Sequence, residues 1–295
     1  MNRFSLPVLL VMAFATERIA AADDTALYSA PWQLRSLALA DTVGVESSAA
    51  AFTDSNGNID IAQSTVVGSR YHLTPQWAPF LRLGFVGNNA PGAALDGTSF
   101  GNPVVGATYT RTLAKYRLAA AWSTTLPVGT GGGDTPDPRA ARVNTAAITA
   151  RPADSAMFDV DYMTETLGID VAYLNRGFTA QAEANVAQEI RTRGAGARFR
   201  TSADMALHAG YFVGSHVSLG TDLRYQRWLS RDAMTQTDTD TLTLALGLRA
   251  HVGLGEHASL HPGISYTRGL NARGTALPVI TDQTNAVQID AHVLF

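Results

Sequence analysis

The chain has 295 residues, of which 46% are hydrophobic and 16% charged, and its formal net charge at pH 7 is −3. This charge balance provides no basic excess for binding nucleic acid and no acidic tail. The absence of cysteine excludes disulfide frameworks, Cys-ligated zinc and thiolate nucleophiles.

The N-terminus has the order of a secretory signal peptide. Arg3 is followed by an apolar run over 4–15 and then by an A-x-A cleavage site at 20–22. The run is too short to cross a bilayer as a helix, which takes about 20 apolar residues. We therefore predict a signal peptide over residues 1–22 and an outer-membrane domain over 23–295, with a buried N-terminal helix as the alternative to the signal peptide.

The rest of the chain alternates apolar and polar residues with a period of two, in segments of about ten residues. In 242–254, for example, Leu244 and Leu246 share one face and Gly247 and Arg249 the other. Such segments predict twelve strands. They cover 33–47, 61–73, 77–86, 104–113, 116–128, 163–174, 178–190, 204–213, 217–229, 242–254, 258–268 and 286–295.

Soluble β-sandwiches show the same alternation, so further features are needed to distinguish the two classes. Short turns and long loops alternate along the chain, as the periplasmic turns and outer loops of outer-membrane barrels do. Aromatic residues cluster at the short-turn ends, where amphipathic rings meet lipid headgroups. They are Tyr71, Trp77, Tyr116, Tyr173, Phe178, Tyr211 and Phe295. The sequence therefore predicts an all-β fold, a transmembrane antiparallel up-and-down β-barrel of about 12 strands in the cell outer membrane.

The chain ends on an alternating segment whose last residue is Phe295. A terminal aromatic in this position resembles the assembly signal of outer-membrane barrels. We therefore predict that the barrel-assembly machinery binds through the C-terminal strand, and that outer-membrane lipid and lipopolysaccharide surround the barrel. Small-molecule solutes are the other predicted partners, and no nucleic acid is expected.

The first predicted strand contains one residue that does not suit a lipid-facing side. Asp41 shares its face with Leu39 and Val43, and a carboxylate facing the bilayer centre is costly. A bulge or a shifted boundary is therefore expected there. Because this strand begins soon after residue 23, the sequence predicts no N-terminal segment long enough for a plug. The loop near 129–160 is the segment expected to fold inward and narrow the pore.

The face opposite the lipid carries charged residues at similar heights above the short turns. Strands rise about 3.3 Å per residue and tilt by roughly 40°, so equal offsets from the turns give equal heights. The predicted pore-lining residues are Arg82, Asp170, Glu183, His208, Asp222, Arg224, Arg249, His251 and Asp290. They form either a polar constriction that selects solutes or a set of ion pairs that fills a closed interior. About twelve strands lie between small filled barrels and wide porins, so both interpretations stay open.

Motifs for enzymatic chemistry are weak. The glycine-rich run over 129–138 lacks the Lys and Ser/Thr of a P-loop, and no H-E-x-x-H zinc pattern occurs. His208 and Asp222 lie on adjacent predicted strands and are the nearest to a catalytic pair, but a hydrogen bond in the lumen explains them more simply. We therefore predict no catalytic residue, no metal site and no cofactor, and the protein is not expected to be an enzyme.

Three short segments and the terminal VLF carry a family resemblance. The segments are WQLRS (Trp32 to Ser36), FGNPVVGATYTRTL (Phe100 to Leu113) and TTLPVGTGGG (Thr124 to Gly133). Together they resemble the outer-membrane transporters named for the meta pathway of phenol degradation. Asn102 departs from that pattern, which has an acidic residue after the glycine. The resemblance implies passage of hydrophobic or aromatic small molecules and supplies no catalytic residues.

The sequence thus predicts an outer-membrane channel for passive passage of small molecules, including hydrophobic or aromatic ones. Two alternatives stay open. An outer-membrane hydrolase of the lipase or protease type would gather a Ser/His or Asp/His set at the outer rim. A structural barrel would have a sealed lumen with no continuous path past the charged residues.

Overall fold

A computed structural model describes residues 27–53, 59–88, 97–135, 137–230, 241–271 and 285–295. The strands are β1 (Thr42–Thr53), β2 (Ile59–Arg70), β3 (Trp77–Asn88), β4 (Gly97–Phe100), β5 (Val104–Leu113), β6 (Tyr116–Thr125), β7 (Tyr162–Asn175), β8 (Phe178–Arg191), β9 (Phe199–Val213), β10 (Val217–Trp228), β11 (Thr241–Ala250), β12 (Val252–Gly253), β13 (Ser259–Asn271) and β14 (Asn285–Leu294). The predicted signal peptide lies outside the described residues.

These strands form one closed antiparallel barrel. Sequential long strands pair with each other, β11 pairs with β13, and β1 pairs with β14 to complete the ring. The short strands β4 and β12 add to the edges of β3 and β13 and do not span the wall. The prediction of an all-β up-and-down barrel with twelve spanning strands is confirmed.

The alternation in the sequence places apolar side chains on the outer surface and polar ones inside. Leu246 and Leu248 are 55% and 48% exposed on the outside, whereas Arg249 and Asp290 are each 3% exposed in the interior. A soluble sandwich would show the reverse arrangement. The outer surface therefore presents an apolar band to lipid, as in barrels of the outer membrane.

The short turns lie at one end of the barrel. The hairpin between β7 and β8 closes with only Arg176 and Gly177, because Asn175 and Phe178 are already paired. Both turn residues have positive φ, at 47° and 84°, and such turns match the right-handed twist of strands. Aromatic rings contact each other near this end, for example Tyr116 and Tyr173 at 5.3 Å between centroids. We assign this end to the periplasmic side.

The prediction for the first strand was wrong in its boundaries. β1 begins at Thr42 instead of residue 33. Asp41 therefore lies just before the strand at the periplasmic end, where its Oδ1 accepts hydrogen bonds from His72 N at 2.6 Å and from the His72 ring at 2.7 Å. The expected boundary shift is confirmed, and it removes the problem of a carboxylate facing the bilayer centre.

The expectation that no N-terminal plug exists was also wrong. Residues 27–41, here called the N-terminal segment, lie inside the barrel and contact lumen-facing side chains of six strands, β2, β7, β8, β10, β11 and β13. The sequence suggested strand because Leu37, Leu39, Val43 and Val45 alternate. The alternation before residue 42 instead reflects contacts inside the lumen, where Leu37 packs with Ala119 and Ala172.

The connection between β6 and β7, residues 126–161 and here called the inserted loop, also folds into the barrel. It contains helix α1 (Pro138–Ala150), the 3₁₀ turn Pro152–Asp154 and the short helix α2 (Ser155–Phe158). The Asp137 side chain caps α1 by accepting from Arg139 N at 2.9 Å, and Pro138 occupies the first turn. Helix α1 contacts β1 to β4 and β14, so the loop folds inward as predicted.

No helix in the described part of the chain is long and apolar enough to span a membrane.

Candidate functional site in the barrel lumen

The N-terminal segment enters the lumen from the periplasmic end and returns to it. Leu27 lies beside the short turn at Gly177. The chain then rises to Gln33, whose side chain bonds to Thr243 and Thr267 well inside the barrel. It descends again to Ala38, whose carbonyl oxygen is 3.2 Å from the His72 ring near the periplasmic end. The segment is therefore a loop that protrudes into the barrel.

Backbone amides of the segment donate to carboxylates of the barrel wall. Trp32 N and Gln33 N each lie 2.6 Å from Asp222 Oδ2, and Arg35 N lies 2.8 Å from Glu183 Oε2. Hydrogen bonds to a charged acceptor contribute about 1.5–3 kcal/mol each, roughly twice the value of neutral ones. These carboxylates therefore hold the segment by its main chain.

The Arg35 side chain adds a second set of polar contacts. Its guanidinium lies 3.4 Å from Asp170 Oδ2 and 2.6 Å from Asn185 Oδ1. Asp170 and Glu183 face each other in the register of β7 and β8, so two neighbouring carboxylates need a cation between them. Arg35 supplies that cation from the segment.

Tyr28 links the two arms of the segment to the wall. Its hydroxyl donates to Gln181 Oε1 at 2.8 Å and accepts from Leu37 N at 3.0 Å. Burial raises the pKa of Tyr28 above its usual value. The hydroxyl therefore stays protonated and keeps both bonds at physiological pH.

One edge of the Trp32 indole rests on glycines of the barrel wall. A Cβ at Gly247 would lie 2.5 Å from the indole Cε2 and Nε1, and a Cβ at Gly263 would lie 2.5 Å from its Cη2. The guanidinium of Arg249 lies 4.1 Å from the ring centroid, within cation–π range. Arg249 also donates to Ala30 O at 2.8 Å, so it holds both the ring and the main chain.

His208 and Asp222 form the hydrogen bond that the sequence suggested, at 2.6 Å from Nδ1 to Oδ1. Ser29 Oγ lies on the far side of the imidazole, since a Cβ at Gly210 would meet both Ser29 Oγ and His208 Nε2. A catalytic triad would join these groups by a Ser–His hydrogen bond, but His208 Nε2 makes no hydrogen bond among the described residues. Both the His208 and the Asp222 side chains are also fully enclosed, and Asp222 Oδ2 already accepts from the segment. The set is placed to anchor Trp32 and its neighbours.

The inserted loop is held first by apolar packing. Val143 of α1, together with Met157 and Phe158 of α2, forms a buried cluster with Val66 and Val86 of the wall. The last two residues face the lumen on neighbouring strands, where polar side chains are otherwise common. They mark the place at which the loop docks.

Four charged side chains then connect the loop to the wall. Arg82 lies 3.3 Å from Glu46 and 3.1 Å from Asp154 Oδ2, and Arg151 lies 2.7 Å from Asp154 and pairs with Glu46. Burial by itself raises the pKa of Asp154, but the guanidinium groups of Arg82 and Arg151 outweigh it and hold that pKa well below its usual range. Asp154 is therefore ionised throughout the physiological range.

The remaining predicted residues face the same interior. Arg224 pairs with Asp204 and donates to Pro152 O at 3.2 Å, which ties it to the inserted loop. The ring of His251 lies 2.9 Å from Ser218 Oγ, and it contacts the ring of His261 with the two centroids 4.3 Å apart.

A cavity of about 700 Å³ lies at the outer end of the barrel, beside the inserted loop. Ile148, Phe158 and Val160 give it apolar walls, and Asp159 and Arg200 give it charges. Its volume falls in the range typical of small-molecule sites, about 300–1,000 Å³. We call this cavity the vestibule.

All nine predicted pore-lining residues point into the barrel, and eight of them contact an inserted segment or pair with a residue that does. Asp170, Glu183, Asp222 and Arg249 bind the N-terminal segment, His208 and Asp290 support that contact, and Arg82 and Arg224 bind the inserted loop. Their role in lining a pore stays a prediction. Within the described residues, no group of three or more His, Asp or Glu side chains is arranged to hold a metal ion.

Sequence reasoning missed Trp32, Gln33 and Arg35 as lumen residues, although they lie in the WQLRS motif on which the family resemblance partly depends. Two signals pointed to an internal occupant. Glycines stand at lumen-facing positions of neighbouring strands, such as Gly247 and Gly263. Neither β7 nor β8 has a basic residue near its lumen carboxylate, although these two carboxylates face each other.

The fold is similar to those of solved outer-membrane proteins. The crystal structure of the COG4313 outer membrane channel from Pseudomonas putida F1 aligns with a TM-score of 0.58 and 17% identity, covering 91% of this chain and 100% of that chain. The NanC porin aligns with a TM-score of 0.53 and 8% identity, covering 86% of this chain and 98% of that chain. The chain therefore has the fold of a Gram-negative outer-membrane β-barrel.

Comparisons of sequence add nothing to this result. No protein-family model matches the chain, and no curated protein matches it. The resemblance to the phenol meta-pathway transporters accordingly stays a prediction from its short motifs.

Proposed function

We propose that this barrel is a passive outer-membrane channel for small molecules, with the N-terminal segment as a removable occupant of its lumen. Two features found together carry the proposal. The barrel has an outer vestibule of about 700 Å³, and its polar interior is filled by segments that are held without covalent bonds to the wall. A barrel serving only as a scaffold has no need for a vestibule. The two solved neighbours are described as a channel and a porin, which agrees with this role.

The finer proposal is that hydrophobic or aromatic molecules pass. Ile148, Phe158 and Val160 offer apolar contacts in the vestibule, and Asp159 is paired with Arg200 there. Asp161 also has a cationic partner, so the one remaining charge of the lining is the solvent-exposed Asp134. A solute with an apolar body therefore gains contact area without displacing an unpaired ion. We further propose that lipopolysaccharide surrounds the outer end and that the assembly machinery reads the C-terminal strand.

A barrel with a sealed lumen is the second candidate, because ion pairs and two inserted segments occupy much of the interior. Conductance in planar bilayers and solute-driven swelling of liposomes separate the two. The full mature chain is compared with a variant lacking residues 27–38, which leaves Asp41 and β1 in place. We expect single channels from both and a several-fold larger conductance from the variant. Absence of channels in both, with the barrel shown to be folded by heat-modifiable migration on gels, would remove the channel proposal.

A further inference from the structure

We propose that the place occupied by Trp32 is a binding site of the barrel wall for a planar aromatic ring with a hydrogen-bonding substituent, and that Trp32 is its resident occupant. The inference deepens the proposed channel function, because it names what the lumen binds. It depends on a site that is built by the wall and filled by a residue outside the wall.

The floor of the site consists of glycines on three adjacent strands. Gly220 and Gly247 face each other in the register of β10 and β11, and Gly263 lies on β13. A Cβ at Gly247 or Gly263 would lie within 2.5 Å of indole atoms, and one at Gly220 would lie 3.6 Å from Nε1. Any side chain at 247 or 263 would fill the space in which the edge of the ring rests.

Arg249 supplies a second wall with chemistry of its own. Its guanidinium lies 4.1 Å from the ring centroid, and the Nη2 atom is 2.5 Å from Asp290 Oδ2. An Arg fixed in this way by a carboxylate presents its planar face to any aromatic ring, because the attraction comes from the π-face and not from the indole in particular.

Two buried polar atoms at the ring edge lack partners. Among the residues that the structure describes, Arg249 Nε and Asp290 Oδ1 make no hydrogen bond. A Cβ at Gly263 would lie 2.8 Å from Asp290 Oδ1, 3.2 Å from Arg249 Nε and 2.5 Å from Trp32 Cη2. The indole therefore turns a carbon toward a donor and an acceptor, and unsatisfied buried groups of this kind are costly.

A hydroxylated ring would complement the site better than indole does. A hydroxyl on the carbon equivalent to Cη2, which is position 6 of free indole, would lie near both atoms, where it can donate to Asp290 Oδ1 and accept from Arg249 Nε–H. The geometry thus distinguishes positional isomers, since a hydroxyl at position 4 of the same ring has neither partner. A free ring that binds at this site must displace Trp32, because both occupy the same space.

The test uses the full barrel with the Trp32→Gly variant, which empties the site while leaving every strand unchanged. Binding of indole, 6-hydroxyindole and 4-hydroxyindole is measured by isothermal titration calorimetry in detergent, with the wild-type barrel as the reference for partition into micelles. We expect the variant to bind the rings much more tightly than the wild-type barrel, in which Trp32 competes, and to bind 6-hydroxyindole about tenfold more tightly than the other two, as one hydrogen bond to a charged group provides. Removal of Trp32 should also raise the conductance, and each bound ring should lower it again.

Two controls make the outcome decisive. Trp32→Gly combined with Gly247→Leu fills the same space with a wall residue and should abolish binding, whereas Trp77→Gly removes an outward-facing tryptophan and should create no site. Equal affinity for the three compounds, or binding that survives Gly247→Leu, would overturn the proposal. Binding without any conductance would retain the ring site and remove the channel role, so the two proposals fail separately.

A second measurement leaves Trp32 in place. Ser29→Cys introduces the single thiol of a chain that has no cysteine, at a buried position of the N-terminal segment itself. If free ligand competes with Trp32, 6-hydroxyindole should accelerate maleimide labelling of this thiol several-fold, and 4-hydroxyindole should not. Identical labelling rates with both isomers would contradict competition at this site.

Discussion

The two segments that occupy the lumen are held by different chemistry. The N-terminal segment is held mainly by hydrogen bonds from its own backbone and by Arg35, with carboxylates of the wall as acceptors. The inserted loop packs Met157 and Phe158 against apolar wall residues and adds a cluster of ion pairs.

This difference indicates which insert moves more readily. The N-terminal segment also buries Trp32 and Leu37 and pairs Arg35 with a wall carboxylate, but most of its contacts are hydrogen bonds. Water can replace these hydrogen-bond partners when the segment leaves, so the net cost per bond is modest. Separating the inserted loop from the wall exposes apolar surface, at about 25 cal/mol per Å², and also separates charges that are paired in a low dielectric. We therefore expect the N-terminal segment to be the mobile element and the loop to be the more permanent constriction.

The largest effect on docking of the N-terminal segment is expected for Asp222→Asn. The substitution removes the charge that accepts from Trp32 N and Gln33 N, and a weakening of about 2 kcal/mol corresponds to about a 30-fold shift in the docking equilibrium. Maleimide labelling of Ser29→Cys should accelerate by about that factor. Asp134→Asn, an exposed change on the inserted loop, is the matched control and should leave the rate unaltered.

Val66→Asn is expected to loosen the inserted loop and to leave the N-terminal segment docked. An amide placed beneath Met157 and Phe158 loses apolar contact and is desolvated, at a cost of about 1–3 kcal/mol. Labelling of Ala147→Cys, a buried position on α1, should accelerate about tenfold while labelling at Ser29→Cys stays constant. Equal acceleration at both thiols would show that the two inserts move together, and the distinction between them would be lost.

A smaller effect is expected from Arg82→Gln. Arg151 still neutralises Glu46 and Asp154 in this variant, so the cluster keeps one of its two cations. Labelling of Ala147→Cys should rise only a few-fold. Arg151→Gln should give a larger rise, because this side chain belongs to the loop itself and is the more deeply buried of the two.

The smallest effect is predicted for pH. The pKa of Asp154 is depressed in the folded protein, so its ion pairs stabilise the docked loop above the ordinary carboxyl pKa of about 4 and are lost only as pH falls below that value. Labelling of Ala147→Cys, normalised to an exposed thiol at Asp134→Cys, should stay constant from pH 8 to pH 5. A rise within this window would show that Asp154 is not the group that holds the loop.

The barrel itself was predictable because period-two alternation, turn spacing and the aromatic girdle all report on one surface that faces lipid. The strand from Val104 to Leu113 matches its predicted boundaries, and most others shift by only a few residues. The contents of the lumen were harder to predict. Leu37 and Leu39 alternate as a strand would, although neither belongs to a strand and Leu37 is buried in the lumen. Val66 looks like any other strand residue, although the inserted loop packs against it.

The candidate site could be predicted only as a set of inward charges. Alternation and height above the turns placed Arg249 and Asp290 on the inward face, but they did not show that the two side chains would pair directly. Neither the spacing nor the residue types revealed that Trp32 would rest on Arg249. The missing information was three-dimensional, since Trp32 and Arg249 are separated by most of the chain.

Because Leu27 and Asp41 both lie at the periplasmic end, the N-terminal segment enters and leaves the lumen through the same mouth. The inserted loop starts and finishes at the opposite mouth. The cylinder can thus close first and receive each insert afterwards, from its own side of the membrane. A partner in the periplasm would be able to withdraw the N-terminal segment without disturbing the inserted loop, which would still narrow the opposite end of the barrel.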